Sequence, residues 1–324
     1  MDILLPLITN VVILFLMMIP GVILKKCRLA GDDFGKGLSN LVLYIAQPAL
    51  FLHAYIAFEG SFASIWKNAL GVFVLSVFAH TLFAVVAICL FRGAEDGRRR
   101  MLRFATVFSN SAFMGIPLVS AILGTEATIY ASIYNITFNL FVWSLGVHFC
   151  TEGKEDGKEG KKISALLVRV LCHPVNIASA VGILILASGI GRHVPALLFS
   201  SLEMLKNLVA PLSMVVIGLR MASISLRGAF SDRYLYLFLS LRHIILPTLV
   251  LLSLWLFGLM GLSFGQTANT VVVLLAATPA ATSATMFAER YGCDPVYISR
   301  TVMISTLLSV VSMPLLVLLL NLIL

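Results

Sequence analysis

Residues 108–117, Phe-Ser-Asn-Ser-Ala-Phe-Met-Gly-Ile-Pro, place polar and helix-breaking residues inside an otherwise apolar segment. A second such stretch, Ala-Thr-Pro-Ala-Ala-Thr-Ser-Ala-Thr at 277–285, occupies the matching place in the second half of the chain. Backbone that leaves the helix at bilayer depth is tolerated only where it is buried in protein or lines a water-filled cavity. Paired interruptions in the two halves of a membrane protein point to the binding site of a secondary transporter.

The composition around these stretches is that of a membrane protein. Of 324 residues 60% are hydrophobic and 12% are charged, with a mean hydropathy of +1.01, whereas soluble domains are about half apolar. Because about 20 apolar residues cross a bilayer, the sequence predicts an all-α integral membrane protein with ten transmembrane helices. The predicted spans are 3–24, 37–57, 68–91, 102–123, 126–150, 172–190, 197–221, 234–257, 267–289 and 296–323.

The basic residues give an orientation. Eighteen of the 23 lysines and arginines fall in the odd-numbered loops, against two, Lys67 and Arg192, on the opposite side. Basic loops stay in the cytoplasm, so the chain is predicted to be a multi-pass protein of the plasma (inner) membrane with both termini extracytoplasmic. Orientation and contact with anionic lipid explain these loops, and no nucleic-acid partner is predicted.

The chain divides into two halves of five predicted spans. Residues 1–150 form the first half, a glycine-containing charged linker covers 151–164, and residues 165–324 form the second half. Since five is odd, the second half enters the membrane in the opposite sense, which predicts two inverted five-helix repeats. Mid-span prolines pair across the halves, as Pro48 with Pro211 and Pro117 with Pro279, and the first three are predicted to be structural or gating positions.

No pattern of catalysis is present. The sequence lacks H-E-x-x-H, G-x-S-x-G and P-loop motifs. Its five cysteines contain no C-x-x-C pair, and His53 and His80 have no acidic or cysteine neighbour at ligand spacing. The sequence therefore predicts no enzyme, no metal site and no cofactor.

The polar residues of the predicted spans favour an anion. The carboxylates sit at span ends or in loops, whereas the N-terminus of a half-helix presents free N–H groups and partial positive charge. Arg242 lies inside a span, where it either binds backbone carbonyls or draws an anion inward. Asn135 and Asn139 share one helical face and either bond neighbouring helices or line the site.

Several motifs resemble the auxin efflux carrier family, which includes the plant PIN carriers and many bacterial members. Residues 109–118, Ser-Asn-Ser-Ala-Phe-Met-Gly-Ile-Pro-Leu, resemble the signature of its fourth helix, and Thr278-Pro279 followed by residues 286–291 resemble its ninth. The resemblance covers nearly the whole chain. It implies ten helices in two inverted repeats, with helices 4 and 9 crossing as broken segments, and it suggests a homodimer.

The implied function is secondary transport of small organic carboxylates, most simply export, by alternating access. Asn110 and Pro279 would lie at the crossover, beside Asn135 and Asn139. The full set of predicted substrate-binding residues is Gln47, Ser109, Asn110, Ser111, Gly115, Asn135, Asn139, Thr278, Pro279, Thr282 and Ser283, with Pro48, Pro117, Pro211 and Arg242 as gating or structural residues.

Two departures from the plant carriers indicate a bacterial member and argue against auxin as the substrate. Ser109 stands where the plant proteins have a proline, and the linker is much shorter than their long loop. Two other functions stay open: a sodium-coupled organic-anion symporter of the related bile-acid or sodium/proton fold, and a membrane sensor that binds its ligand without moving it. A third reading of the crossover is that its small residues only permit close helix packing.

Overall fold

A computed structural model describes residues 4–152, 168–222, 230 and 232–323. Within these residues the chain is helical, and its extended pairing is confined to one antiparallel bridge between Ser109 and Ala280. The predicted linker 151–164 lies outside the described residues from position 153 onward. The all-α class is confirmed, and the two-repeat division stays a prediction.

Sixteen α-helices are numbered here in chain order. They are α1 (Leu4–Leu16), α2 (Ile19–Lys26), α3 (Asp32–Leu41), α4 (Gln47–Ala57), α5 (Phe62–Leu90), α6 (Asp96–Val107), α7 (Ile116–Phe141), α8 (Val147–Thr151), α9 (Pro174–Ser188), α10 (Ala196–Lys206), α11 (Val209–Ala222), α12 (Arg233–Ser240), α13 (Leu246–Leu259), α14 (Gln266–Ala277), α15 (Ser283–Tyr291) and α16 (Pro295–Ile323).

Seven helical segments of the described chain are long and apolar enough to cross a membrane: Thr9–Lys26, Asp33–Ala57, Phe62–Leu90, Ser111–Thr151, Ala196–Ala222, Arg233–Leu259 and Pro295–Leu320. Two further apolar helices, α9 and α14, are shorter. Predicted spans 4 and 5 are not separated by a loop, because helix α7 continues through a single break at Gly124, whose φ of 76° requires glycine. Gly292, with φ 61° and ψ 42° in the left-handed region, caps the end of α15 before α16.

Five-residue π-helical turns explain how three of the mid-span prolines are accommodated. The turns Val42–Ala46, Ser111–Gly115 and Leu241–Ile245 are each followed two residues later by a proline: Pro48, Pro117 and Pro247. A proline ring clashes with the carbonyl four residues earlier and removes one hydrogen bond. A widened turn makes room for that ring, so the helix continues where the sequence alone suggested a break. Pro211 lies in the first turn of α11.

Two glycines bring α2 and α11 into backbone contact. A Cβ atom at Gly21 would lie 2.2 Å from the Val215 carbonyl oxygen, and one at Gly218 would lie 2.1 Å from that of Met18. Helix α4 packs against α9, α10 and α7, and α5, α7 and α14 pack on one another. The turn Ser111–Gly115 contacts both α11 and α14.

Candidate functional site

The two interruptions predicted from the sequence meet in the structure. Helix α6 ends at Val107 and α14 ends at Ala277, and the chain segments that follow run antiparallel. The Asn110 N–H donates to the Pro279 carbonyl at 2.7 Å, and the Ala281 N–H donates to the Phe108 carbonyl at 3.0 Å. The two short extended segments thus satisfy part of each other's backbone, as broken helices inside a membrane protein must. We call residues 108–111 and 278–282 the crossover.

The first interruption is shorter than the sequence suggested. Only Phe108–Asn110 leave the helix, because Ser111–Gly115 already form a π-turn that leads into α7. The Asn110 carbonyl accepts from the N–H groups of Met114 and Gly115, at 3.0 and 3.1 Å. Asn110 is therefore the N-cap residue of this helical segment.

Both helices that restart at the crossover begin with a residue suited to capping that does not cap. Asn110 precedes the Ser111 turn and Thr282 precedes α15, yet neither side chain accepts a hydrogen bond from the N–H groups in the first turn of the helix that follows it. Asparagine and threonine normally accept such a bond. The Asn110 amide nitrogen and the hydroxyls of Ser111 and Thr282 are buried without any hydrogen-bond partner in the structure. Three polar groups with free hydrogen-bonding capacity thus sit at two helix N-termini.

Arg242 covers the opposite helix ends. Its side chain is fully buried, and Nη1 donates to the Thr106 carbonyl of α6 at 2.9 Å. From the same guanidinium, Nη2 donates to the carbonyls of Ala276 and Thr278 at 2.7 and 2.8 Å, and Nε donates to that of Thr278 at 2.9 Å. Since the C-terminal ends of helices carry partial negative charge, this one cation compensates the ends of α6 and α14 together. Of the two sequence-based alternatives, the structure shows carbonyl binding.

The second interruption is anchored at two further points. The Ala280 N–H donates to the Ser305 hydroxyl of α16 at 3.2 Å, and that hydroxyl also bonds His243 Nε2 at 3.0 Å. On the other side, Arg220 Nη1 of α11 donates to the Thr282 carbonyl at 2.6 Å. These contacts fix the path of the backbone on both sides of Pro279.

The helical turn that follows the first interruption is supported from α4 and α14. Gln47 Nε2 donates to the Ala112 carbonyl at 2.9 Å, while its Oε1 is buried without a partner. A Cβ at Gly115 would lie 2.7 Å from a methyl of Leu275 and 3.1 Å from that of Thr278, so glycine allows the two broken helices to approach. Ser109 is buried at the bridge, and Ser283 begins α15 as a partly buried residue.

The two asparagines of α7 behave differently from each other. Asn139 donates from Nδ2 to Asn176 Oδ1 of α9 at 2.9 Å, so its amide holds two helices together. Asn135 is buried, and its side chain makes no hydrogen bond to the part of the chain that the structure describes. A binding role for either asparagine stays a prediction.

Three further polar residues, two of them bonded to the crossover, were not predicted from the sequence. Arg220 and Ser305 bond the second interruption, and the Ser213 hydroxyl of α11 is buried without a partner. Arg220 is one of the eighteen basic residues that were counted in the odd-numbered loops, and Ser213 follows Pro211 by two residues. The nearness of Ser213 to a mid-span proline is a signal that sequence reasoning could have used, whereas Ser305 carried none.

The charge of the site suits an anion. Among the described residues the buried charged side chains are Arg100, Arg103 and Arg242, with no aspartate or glutamate. Arg100 and Arg103 have carboxylate partners in Asp96 and Glu152, whereas Arg242 has backbone carbonyls. At an effective dielectric constant of about 20, an anion about 4–8 Å from the Arg242 guanidinium would be attracted to it by about 2–4 kcal/mol. The described residues contain no group of three or more histidine, cysteine or acidic side chains that would hold a metal ion.

Comparison with known proteins gives consistent matches along nearly the whole chain. Residues 6–317 match the model of a family described as "Membrane transport protein". A protein of Methanothermobacter thermautotrophicus described as an uncharacterized transporter is 27% identical over 297 residues, which cover 91% of this chain and 92% of that one. Another uncharacterized transporter, from Methanocaldococcus jannaschii, is 22% identical over 303 residues, 92% of this chain and 94% of the relative.

Proposed function

The chain belongs to the membrane transport protein family, the family that includes the auxin efflux carriers its motifs resemble, and on that premise we propose that it carries small organic carboxylates across the plasma (inner) membrane. Family membership makes it a multi-pass membrane transporter. Substrate class, direction and mechanism are parts of the proposal, which assigns no catalytic or cofactor chemistry to the chain. Export by alternating access is the form that we propose.

The observation that carries the proposal is a difference between the helix ends at the crossover: the two C-terminal ends are bonded by a side chain and the two N-terminal ends are not. Arg242 covers the two C-terminal ends, whereas the two N-terminal ends have unbonded cap residues, Asn110 and Thr282. Helix N-termini with free N–H groups bind carboxylates and phosphates. A carboxylate at this place would accept hydrogen bonds from the backbone N–H groups, the Asn110 amide and the Ser111 hydroxyl. Each bond to a charged group is worth about 1.5–3 kcal/mol.

Alternating access is supported by the burial of the crossover and by the hydrogen bonds that join neighbouring helices to it. Asn110 is 2% exposed and Thr282 is 3% exposed, so a substrate reaches them only when neighbouring helices move. Two hydrogen bonds join α4 and α11 to the crossover and the turn that follows it: Gln47 to Ala112, and Arg220 to Thr282. We propose that these bonds break and re-form as α4 and α11 move relative to the crossover.

Two inverted five-helix repeats, ten spans in all, are the proposed arrangement. In each half an interrupted helix is followed by a glycine with positive φ, Gly124 or Gly292, and then by a long helix. The excess of basic residues in the odd-numbered loops supports extracytoplasmic termini. The broken helices at matching places favour a binding site where the two repeats meet.

Export of a monoanion needs no coupled ion. An anion that leaves a negatively charged interior gains about 2.3 kcal/mol per charge per 100 mV, which supports roughly a fortyfold gradient. We therefore propose electrogenic uniport. Proteoliposomes with a clamped membrane potential test this step. Transport that requires a sodium gradient would instead favour the symporter, and binding without any flux would favour the sensor.

A panel of radiolabelled carboxylates, offered to proteoliposomes that contain the wild-type protein or Asn110→Ala, tests the site itself. We expect the variant to bind and transport the preferred carboxylate with an affinity about 10- to 100-fold lower, because it lacks one charge-assisted hydrogen bond. Its melting temperature should stay close to that of the wild type, since the Asn110 amide nitrogen bonds nothing that it would leave unpaired.

Asn176→Ala is the matched control. Asn176 is also a buried asparagine, but its amide is bonded, to Asn139 and to the Val170 carbonyl. Asn176→Ala should lower stability and leave affinity unchanged if Asn139 only joins α7 to α9; a loss of affinity would instead support the predicted binding role of Asn139. Wild-type affinity in a folded Asn110→Ala protein would place the binding site elsewhere and leave close helix packing as the role of the small crossover residues.

A further inference from the structure

A positively charged crevice lies between two sets of helices and shares no lining residue with the crossover. Its volume is about 510 Å³, and it is bounded by α2, α3 and α11 on one side and by α15 and α16 on the other. Four basic residues and one acidic residue line it: Lys25, Lys36, Arg220, Arg300 and Glu289. The lining therefore carries a formal charge of +3.

Little in the structure neutralises two of these cations. The Arg300 guanidinium has no hydrogen bond or ion pair with any described residue. Lys36 lies 3.6 Å from Asp33, but their side chains are 68% and 100% exposed, and such surface pairs contribute little. A crevice lined by one sign of charge concentrates ions of the opposite sign.

The crevice leads toward the crossover. A smaller cavity of about 20 Å³ shares Arg220, Thr285 and Ser299 with it and reaches Thr282. Arg220 stands where the two cavities meet, with its guanidinium on the Thr282 carbonyl at 2.6 Å. An anion that moves inward along this path passes Arg220 before it meets the N-terminus of α15.

We propose that this crevice is an anion-capture site, in which Arg300 and Lys36 bind a carboxylate or phosphate group and Arg220 then exchanges the Thr282 carbonyl for that group. The destination at the crossover rests on the function proposed above, whereas capture by the crevice does not. The captured anion is either a soluble organic acid or the phosphate of an anionic lipid headgroup. Both present oxygen atoms that guanidinium groups bind.

Thiol labelling measures the charge of the crevice without any substrate. Ser299→Cys is made in a background in which the exposed Cys27, Cys89 and Cys172 are serine. The purified protein in detergent then reacts with an anionic or a cationic methanethiosulfonate of similar size. We expect the anionic reagent to react faster at low salt. Arg300→Gln or Lys36→Gln should each lower the anionic-to-cationic rate ratio about threefold to tenfold, and salt should lower it too.

Two controls keep the result decisive. Ser61→Cys lines the groove of residues 55–63 and 185–193, which lies apart from the four crevice cations, so Arg300→Gln should leave its rate ratio unchanged. If Ser299→Cys reacts with neither reagent, Val296→Cys replaces it, because Val296 lines the same crevice and is 59% exposed. The proposal is overturned if the cationic reagent reacts faster than the anionic one, or if neither Arg300→Gln nor Lys36→Gln changes the anionic-to-cationic rate ratio.

Protection from labelling separates the two sources of the anion. Succinate is added in one arm, and mixed micelles with phosphatidylglycerol replace neutral micelles in the other. Slower labelling with succinate supports capture of a soluble acid, and slower labelling with the lipid alone assigns the crevice to headgroups. Protection by neither, at concentrations that leave Ser61→Cys labelling unchanged, refutes capture. Since no transport is measured, a failed Asn110→Ala test and a failed crevice test remain distinguishable.

Discussion

The two interruptions occupy matching places in the chain but differ in what holds them. The second, Thr278–Thr282, is bonded by Arg242, Ser305 and Arg220, each from another helix. The first, Phe108–Asn110, depends on the backbone of the second, and the amide nitrogen of Asn110 stays unbonded. Two similar sequence features thus have different physical states.

This difference indicates a division of roles. A backbone held by three side chains keeps its position, so the second interruption acts as the anchor of the crossover. Buried polar groups without partners are costly, so those of the first interruption indicate a ligand-dependent function. The four predictions that follow test this contrast, from the largest expected effect to the smallest.

Arg242→Met removes the anchor and should have the largest effect. It leaves the carbonyls of Thr106, Ala276 and Thr278 buried without the guanidinium, which should destabilise the fold by about 3–5 kcal/mol. That corresponds to a melting temperature about 5–15 °C lower, measured in detergent by fluorescence-detected chromatography after heating. Arg242→Lys retains the charge but not the several N–H donors of the guanidinium, so its melting temperature should lie between those of the wild type and Arg242→Met.

Arg192→Met, at an exposed arginine, is the control for Arg242→Met. Arg192 has the same side chain, yet it lies in the turn Ile190–His193 at the surface, so its replacement should change the melting temperature little. An Arg242→Met protein as stable as this control would remove the anchor from the comparison.

Thr282→Val tests whether the second interruption also contributes to binding. Valine keeps the shape of threonine and removes only its buried, unbonded hydroxyl. We expect carboxylate affinity to fall about 10-fold or more, by the loss of one hydrogen bond to a charged group, with stability unchanged or slightly improved. Equilibrium binding of the preferred carboxylate measures this effect. Unchanged affinity would confine ligand binding to the first interruption and sharpen the contrast.

Gly124→Ala and Gly292→Ala test whether the two halves are equivalent after the crossover. Both glycines have positive φ, where an L-residue with a Cβ is disfavoured by about 1–2 kcal/mol. No atom lies within 4 Å of a Cβ at Gly124, so backbone strain alone determines its effect. Both variants should melt at a lower temperature than the wild type, and Gly124→Ala by more, because its ψ of −153° lies in a region that essentially only glycine adopts, whereas the ψ of 42° at Gly292 is left-handed helical. A Gly124→Ala protein as stable as the wild type, beside a destabilised Gly292→Ala, would contradict this difference.

Ser305→Ala should give the smallest effect. It frees the Ala280 N–H and one nitrogen of His243, with an expected cost of about 0.5–1.5 kcal/mol. Carboxylate affinity should stay unchanged, because the Ser305 hydroxyl bonds the backbone of the second interruption and not the proposed ligand. Ser253→Ala, whose hydroxyl only bonds the Leu249 carbonyl of its own helix, is the comparison. A larger loss of affinity than of stability would make Ser305 part of the binding site.

Much of the fold follows from local properties of the sequence. The helices α6 and α14 end where polar and proline residues follow an apolar run, at Val107 and Ala277. The sequence overestimated the first interruption because it treated Gly115 and Pro117 as further breaks. The π-turn absorbs Pro117, and whether a helix breaks or widens before a proline depends on the neighbours that pack against that turn.

The candidate site was predictable in its residue types and not in its bonds. Hydropathy, the charge bias and the paired interruptions determine a membrane protein with a polar crossing point, because these properties depend on neighbours along the chain. Tertiary structure alone decided that Arg242 bonds Thr106, 136 positions away, and that Arg220 bonds Thr282, 62 positions away. Such bonds form between residues that only the packing of whole helices brings together. The same packing leaves Asn110 unbonded, and no local pattern in the sequence records it.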